Sequence, residues 1–103
     1  MDLNVKKTGT ESEISISGAI DEVGAEKLEQ LFGQSDISSS RKVILDFRNV
    51  EYIGSSGVGT LLLLYKKIAP ANGEVIIRNI PKTIYRLLAK DMNLGHIFRM
   101  QCL

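Results

Sequence analysis

The sequence has few of the residues from which metal sites and disulfide frameworks are built. It contains one cysteine, Cys102, one histidine, His96, and no tryptophan among 103 residues. A lone cysteine cannot form an internal disulfide and indicates a reducing compartment, and one cysteine with one histidine supplies too few ligands for a metal site. We therefore expect no disulfide, no bound metal and no cofactor.

Long apolar runs and a charge excess are also missing. The net charge of +1 favours neither nucleic acid nor an acidic membrane as a partner. The longest apolar run, Leu61 to Tyr65, is far shorter than the roughly 20 residues that span a bilayer. The N-terminus lacks the basic and apolar regions of a signal peptide. We expect one cytoplasmic domain over residues 1–103, with no membrane insertion and no direct contact with nucleic acid.

The first third of the chain predicts a hairpin followed by a helix. Apolar residues alternate with polar ones on both sides of Thr8-Gly9-Thr10, which is typical of two strands and a turn. Asp21 is the expected N-cap of a first helix, and Gly33 is placed to end it. The face of this helix that packs on the core is predicted to carry Val23, Leu28, Leu31 and Phe32. The serine-rich stretch from Gln34 to Ser40 predicts a loop.

Strand and helix patterns alternate after that loop. The apolar runs Val43-Ile44-Leu45 and Val75-Ile76-Ile77 predict strands buried on both faces, and Ile97 to Met100 predicts a last short strand. Pro81 is expected at the first position of a third helix. The buried residues of that helix are predicted to be Ile84, Leu87, Leu88 and Met92. The alternation favours an α/β fold with one small mixed sheet, mostly parallel, and helices packed on it.

The stretch from Val43 to Ile68 contains the turn Gly54-Ser55-Ser56-Gly57-Val58-Gly59 between a strand and a helix. Ser56, or Ser55 before it, is predicted to be the N-cap of a helix that runs to about Ile68 and stops before Pro70. Both hydroxyls would then lie at the positive end of the helix dipole, where an added negative charge is stabilised.

This unit resembles the STAS domain family, whose founding members are bacterial anti-sigma factor antagonists. Ser55-Ser56-Gly57-Val58-Gly59 and Tyr65-Lys66 match the family's turn and the helix after it, and Gly18 to Asp21 matches a short element before its first helix. The family's aspartate position holds Gly54. The resemblance covers nearly the whole chain and implies a STAS fold, except that the family's final helix is expected to be absent.

The resemblance further implies a partner-switching mechanism. An anti-sigma factor antagonist binds an anti-sigma factor, which is a serine kinase, and so releases a sigma factor for transcription. Phosphorylation of the first serine of the motif, here Ser55, ends binding, and a serine phosphatase restores it. The predicted partner surface includes the turn residues Gly54, Ser55, Ser56, Gly57 and Val58. Leu61 to Leu64 are more apolar residues than one helix face needs, which is explained by deeper burial or by Leu63 or Leu64 helping a partner to dock, and Leu63 is added to the predicted surface. The sequence does not indicate an oligomeric state.

Several alternatives stay open beside this interpretation. Ser55 can be only a turn or cap residue, and Ser56 is a second acceptor whose hydroxyl the cap would occupy. Gly54 can ease the turn through a positive φ angle. It also lacks the family's carboxylate, which favours a constitutive STAS interaction module, such as a subunit of a lipid-transport ATPase complex or a stress-signalling scaffold, that works without phosphorylation.

The turn does not match known catalytic or nucleotide-binding motifs. A P-loop ends in Gly-Lys-Ser or Gly-Lys-Thr, whereas Val58 follows Gly57 and Thr60 follows Gly59. Gly57 and Gly59 are instead expected to let the helix approach the sheet closely. Neither serine has the Gly-x-Ser-x-Gly environment of a nucleophile elbow, and the only histidine is predicted at a strand edge on the surface. We therefore expect no enzymatic activity.

Overall fold

The computed structural model describes residues 1–103, apart from the side chain of Ser35. The strands are β1 (Asp2–Thr8), β2 (Glu11–Ile20), β3 (Lys42–Ile53), β4 (Glu74–Ile80) and β5 (Arg99–Cys102). The helices are α1 (Glu22–Phe32), α2 (Ser35–Ser38), α3 (Ser55–Ile68) and α4 (Lys82–Tyr85). A 3₁₀ turn follows α3 at Ala69–Ala71, and a π-helical turn follows α4 at Arg86–Asp91.

The five strands form one sheet in the order β1-β2-β3-β4-β5. β1 pairs with β2 in the antiparallel direction, and all other pairs are parallel. The hairpin turn contains Gly9 at a φ of 61°, a conformation that glycine adopts at little cost. The predicted mixed sheet and N-terminal hairpin are confirmed.

The helices all bury their apolar residues against one face of the sheet. Alternate residues of the central strands, such as Ile14, Leu45 and Ile77, form one hydrophobic cluster with Leu28 of α1 and Leu64 of α3. Alternation follows from the period of two along a strand, which places successive side chains on opposite faces. The parallel order β2-β3 brings the carboxyl ends of these strands together at the edge where α1 and α3 begin.

The opposite face of the sheet is open, so the prediction that β3 is buried on both faces is wrong. Ile44 is half-buried and lies outside the hydrophobic cluster. Charged side chains cover this face, because no described helix packs there. Two ion pairs join neighbouring strands, Lys42 with Glu11 at 3.6 Å and Arg99 with Glu74 at 3.4 Å. A third, Arg78 with Glu13, joins β4 to β2 across β3. For Val75-Ile76-Ile77 in β4, burial of all three residues is confirmed.

Local signals predict the ends of α1 correctly but not all of its buried face. The Asp21 carboxylate accepts a hydrogen bond from the Gly24 amide at 2.8 Å, and Gly33 is the C-cap. The prediction that Val23 faces the core is wrong, because its side chain is 64% exposed. The buried positions are Gly24, Ala25, Leu28 and Phe32.

Two other predicted boundaries differ from the structure, and a third agrees with it. The predicted loop from Gln34 to Ser40 contains α2, because Ile37 turns into the core and is 2% exposed. The third helix begins at Lys82, with Pro81 as its N-cap, and widens into the π-helical turn, so that Met92 lies exposed. The predicted end of α3 is confirmed: the helix stops at Ile68, before the proline.

The last strand is also shifted, to Arg99–Cys102 instead of Ile97–Met100. The turn that precedes it buries Phe98 against Tyr65, with ring centroids 6.0 Å apart, and leaves His96 exposed in the turn rather than at a strand edge. Cys102 is an exposed free cysteine within the strand. No helix among the described residues has the length and hydropathy needed to cross a membrane.

Candidate functional site

The turn that begins α3 is held to the end of β2 by its backbone. The amide of Gly54 donates to the carbonyl of Ile20 at 3.0 Å, and the amide of Val58 donates to the carbonyl of Gly54 at 3.1 Å. Gly54 is therefore the N-cap, and no side chain caps the helix. The prediction that Ser56 or Ser55 is the N-cap is wrong, because the bond to β2 starts the helix one residue earlier.

Both serine hydroxyls are exposed at the first turn of α3. Neither makes a hydrogen bond to any described residue, although the backbone carbonyl of Ser56 accepts one from the Thr60 hydroxyl at 3.0 Å. The amides of the first helical turn also lack intrahelical acceptors, as at any helix start. Ser55 and Ser56 are thus free to react or to contact a partner.

A shallow cleft of about 250 Å³ lies beside these serines. Its walls are the start of α1, the end of β3 and the start of α3, and its lining residues are Asp21, Glu22, Tyr52, Gly54, Ser55 and Ser56. The lining has two carboxylates and no cation. A nucleotide phosphate needs cations or a cradle of amides with a lysine, so this cleft does not suit ATP.

Gly54 does not need its conformational freedom at this position. Its φ of −94° and ψ of 179° are those of extended backbone, so the suggestion of a positive φ is wrong. What distinguishes the position is the ring of Tyr52, which lies over it. A Cβ atom at residue 54 would be 3.1 Å from the Tyr52 hydroxyl oxygen and 3.5 Å from the ring. Tyr52 is 55% exposed, so this contact is with the end of a movable side chain.

Two members of the predicted partner surface are buried. Gly57 lies where α3 touches the sheet, and a Cβ there would be 2.7 Å from Ile20 and 2.8 Å from Ile53. Val58 is 3% exposed and belongs to the core. A partner cannot reach either position, because this side of the first helical turn of α3 packs against the strands. The prediction of close approach to the sheet is wrong for Gly59, which is exposed and has open space around it.

The apolar run that follows divides between core and surface. Leu61 and Leu64 are fully buried, Leu62 packs against the edge of the core, and Leu63 is 43% exposed. Leu63, which the apolar run suggests as a partner contact, is therefore accessible. The accessible part of the predicted surface consists of Ser55, Ser56, Leu63 and the partly exposed Gly54.

The structure brings no histidine to the serines, and the basic groups that line their cleft are the carboxylates of Asp21 and Glu22. His96 lines a different pocket, together with Tyr65 and Phe98. Among the described residues, no three histidine, cysteine, aspartate or glutamate side chains are placed to hold a metal ion. The arrangement can accept a phosphate or bind a protein surface, and neither serine hydroxyl is hydrogen-bonded to a base among the described residues.

Sequence reasoning misses Tyr52 and Glu22, which lie beside the serines. Tyr52 follows the strand pattern of β3, and only the pairing of Ala19 with Tyr52 brings it next to the start of α1. Glu22 directly follows the cap residue of α1, and nothing in its local sequence points towards the serine turn. Strand register, which the sequence does not specify, places both at the site.

The chain is similar to several known proteins. A family model described as "STAS domain" matches residues 2–101. BtrV of Bordetella bronchiseptica, whose name includes the words anti-sigma factor antagonist, is 33% identical over 63 residues, which are 60% of this chain and 53% of BtrV. The alignment therefore spans about half the length of that relative.

Two solved structures have the same fold. An anti-sigma factor antagonist from Mycobacterium paratuberculosis is 29% identical, with a TM-score of 0.78 over 97% of this chain and 84% of that one. The Bacillus cell fate determinant SpoIIAA in its phosphorylated form is 20% identical, with a TM-score of 0.76 over 96% of this chain and 90% of that one. The family match over nearly all residues, the five-stranded mixed sheet and the serine turn at the start of α3 together show that this chain belongs to the STAS domain family.

Proposed function

We propose that this protein is an anti-sigma factor antagonist that works by partner switching. In the unmodified state the start of α3 binds an anti-sigma factor, which releases a sigma factor for transcription. The anti-sigma factor is a serine kinase that transfers the γ-phosphate of ATP to the Ser55 hydroxyl, and the phosphorylated protein is released. A serine phosphatase hydrolyses the phosphate ester and restores binding. The protein is a substrate and binding partner and has no catalysis of its own.

The observation that carries this proposal is the exposure of an uncapped, unbonded serine pair in a STAS domain. Neither hydroxyl has a structural task among the described contacts. Local stability therefore does not explain why two serines stand at this turn. The similarity to BtrV and to the mycobacterial antagonist supports an anti-sigma factor as the partner class.

Ser55 is the proposed phosphate acceptor because of its position in the family motif, and the expected involvement of Ser56 in a cap bond no longer supports this choice. The structure removes the argument that a cap bond occupies Ser56, because Gly54 is the N-cap. The position of Ser55 as the first serine of the family motif is what favours it. Ser56 lies at the boundary between the cleft and the surface between α1 and α3.

The test is incubation with candidate kinase-like anti-sigma factors and ATP, followed by intact-mass analysis and mapping of the modified residue. We expect one phosphate on the wild type, none on Ser55→Ala, and one on Ser56→Ala. The anti-sigma factor should bind the unmodified protein and release the phosphorylated one. A phosphate on Ser56 alone would reverse the assignment of the acceptor, and unchanged affinity after full phosphorylation would exclude the switch.

A second function, a constitutive interaction module, is favoured by one observation. Gly54 supplies no carboxylate at the position where the family has one, and the Tyr52 ring covers it instead. If the missing carboxylate contributes to kinase recognition, Gly54→Asp should increase the rate of phosphorylation. A partner that binds the wild type without ever modifying it, together with a Gly54→Asp protein that is also unmodified, would support the module and exclude the switch.

A further inference from the structure

A second surface, which we call the α1–α3 groove, runs between the two helices and leads away from the serine cleft. It encloses about 490 Å³. Its lining consists of Glu22, Ala25, Glu26 and Glu29 of α1 and Ser56, Gly59, Thr60 and Leu63 of α3. Ala25 and Thr60 are buried and form the base of the groove, and the three glutamates are exposed along its wall. Parallel packing of α1 and α3 on the same sheet face produces this groove.

The charges of α1 are divided between its two sides. All three glutamates of the helix line the groove, whereas its only lysine, Lys27, does not. None of these glutamates forms an ion pair with a described residue. The whole chain has a net charge of +1, so the acidic wall is a local feature and does not follow from an acidic composition.

Gly59 leaves the α3 side of the groove without a side chain, which the fold itself does not require. It lies inside α3, and a Cβ atom there would have no heavy atom within 4 Å. Glycine inside a helix costs about 1 kcal/mol relative to alanine. Gly57, by comparison, is needed because the sheet leaves no room for a side chain. The bare backbone at Gly59 lets an external side chain come close to α3, and the exposed Leu63 offers it an apolar contact one turn further on.

We infer that the α1–α3 groove binds a basic amphipathic helix of a partner protein. Glu22, Glu26 and Glu29 have the i, i+4, i+7 spacing of one helix face, and a partner helix lying along the groove can present lysines or arginines with the same spacing. Between those cations, an apolar side chain of the partner packs against Leu63 over Gly59. The acidic wall selects a partner helix with basic side chains, and the missing side chain at Gly59 lets that helix approach α3 closely.

This inference rests on the proposed function for the identity of the partner as an anti-sigma factor, but it separates anchoring from switching. Gly59 and Leu63 lie about 6 and 12 Å along the helix axis from Ser55, given a rise of 1.5 Å per residue. The screening length at physiological ionic strength is about 8 Å. Leu63 lies beyond that length and Gly59 within it, so contacts at the Leu63 end of the groove depend only weakly on a phosphate at Ser55. Contacts at Glu22, which also lines the serine cleft, respond to it.

The experiment is an NMR titration of the ¹⁵N-labelled protein with a designed helical peptide that carries lysines at i, i+4 and i+7 and a leucine between them. We expect amide shifts centred on Glu26, Gly59 and Leu63, with an affinity that falls as salt is raised. Charge reversal in Glu26→Lys should weaken binding about tenfold, because it removes an attraction and adds a repulsion. The matched control is Glu51→Lys, an exposed charge reversal on β3 outside the groove, which should leave the affinity unchanged.

Gly59→Gln tests the bare α3 side of the groove at a position where an added Cβ atom has no heavy atom within 4 Å. We expect it to be at least as stable as the wild type and to bind the peptide about tenfold more weakly. Gly95→Gln is the matched control, because a Cβ added at Gly95 would also have no heavy atom within 4 Å, and this residue lies outside the groove.

The outcomes separate this inference from the proposed function. Peptide shifts outside the groove, no binding, or wild-type affinity in both Gly59→Gln and Glu26→Lys would overturn the groove. An anti-sigma factor that binds the wild type and both groove variants equally would also overturn it, while leaving partner switching intact. If no anti-sigma factor binds but the peptide binds as expected, the groove stands and the proposed function fails.

Discussion

At the scale of single residues, Gly54 decides how the start of α3 responds to substitution. Its extended backbone accepts any residue, so Gly54→Asp carries no conformational strain and needs only a small movement of Tyr52. An aspartate at the N-cap can accept a hydrogen bond from the free amides of the first turn. We expect Gly54→Asp to be more stable than Gly54→Ala by about 1 kcal/mol, measured by urea unfolding at physiological salt.

Gly54→Ala is the control for this prediction, since it introduces the same Cβ beside the Tyr52 hydroxyl without a carboxylate. Relative to wild type, aspartate should gain a few tenths of a kcal/mol and alanine should lose stability. Equal stability of the two variants would mean that the carboxylate does not reach the helix amides, for example because Asp21 and Glu22 repel it.

The two serines beside Gly54 are expected to be nearly neutral for stability. Both hydroxyls are exposed and unbonded among the described residues, so Ser55→Ala and Ser56→Ala remove no contact. Each should change the free energy of unfolding by less than about 0.5 kcal/mol. Asp21→Ala is the positive control, because it removes a side-chain cap bond of 2.8 Å and should cost about 1 kcal/mol. A loss of that size in Ser56→Ala would indicate a cap bond from the Ser56 hydroxyl and would contradict Gly54 as the N-cap.

At the scale of elements, local chemistry predicts helix ends where side chains form the cap. Asp21 is recognisable from the sequence because its carboxylate bonds an amide three residues ahead. The start of α3 is not, because the decisive bond, from the Gly54 amide to Ile20, joins residues far apart in the chain. The burial of Val58 could not be predicted for the same reason: an apolar side chain in the sequence does not show whether it faces the core or a partner.

Sheet faces are harder to predict than strand positions. The apolar run Val43-Ile44-Leu45 locates β3 but suggests burial on both sides, whereas Ile44 is only half-buried on the open face, where its partner on β2 is the ion-paired Glu13. Long charged side chains bury apolar surface with their aliphatic stems, so a one-sided parallel sheet can keep an apolar outer residue. Composition alone does not show whether charged side chains or a second layer of helices cover the outer apolar residue.

Substitution by alanine is predicted to have opposite effects on stability at the two glycines of α3. Gly57→Ala should destabilise the protein by about 1–3 kcal/mol, because the added methyl group would overlap Ile20 and Ile53. Gly59→Ala should stabilise it by up to about 1 kcal/mol, because its methyl group meets open space and alanine favours the helix. Chemical denaturation of both variants measures the difference. If Gly57→Ala were as stable as Gly59→Ala, the close approach of α3 to the sheet would be wrong.

At the scale of the whole molecule, the serine turn lies outside the interactions that hold the domain together. The core joins the inner sheet face to α1, α3 and α4. The open outer face carries ion-paired side chains. Ser55 takes part in neither. A modification there can change what the surface binds while leaving the folded structure in place.

We therefore predict that phosphorylation at Ser55 acts through local charge and not through unfolding. A phosphoserine adds about −1.5 to −2 charge at neutral pH. The uncapped amides and the dipole of α3 stabilise an anion by about 0.3–1 kcal/mol, while Asp21 and Glu22 across the cleft oppose it by a similar screened amount. These effects nearly cancel, so the melting temperature should change by less than about 5 °C.

Phosphorylation is expected to change the free energy of partner binding far more than the free energy of unfolding. A partner that closes over the turn must remove water from a dianion beside two carboxylates, in a cleft whose lining offers no cation, and that desolvation costs far more than the helix end returns. Affinity for the anti-sigma factor should fall sharply, and Ser55→Asp should reproduce part of the loss. Calorimetric melting and affinity measurements on unmodified, phosphorylated and Ser55→Asp protein test this together. A large drop in melting temperature would show that the switch works by unfolding the domain, because a purely local charge leaves the core contacts unchanged.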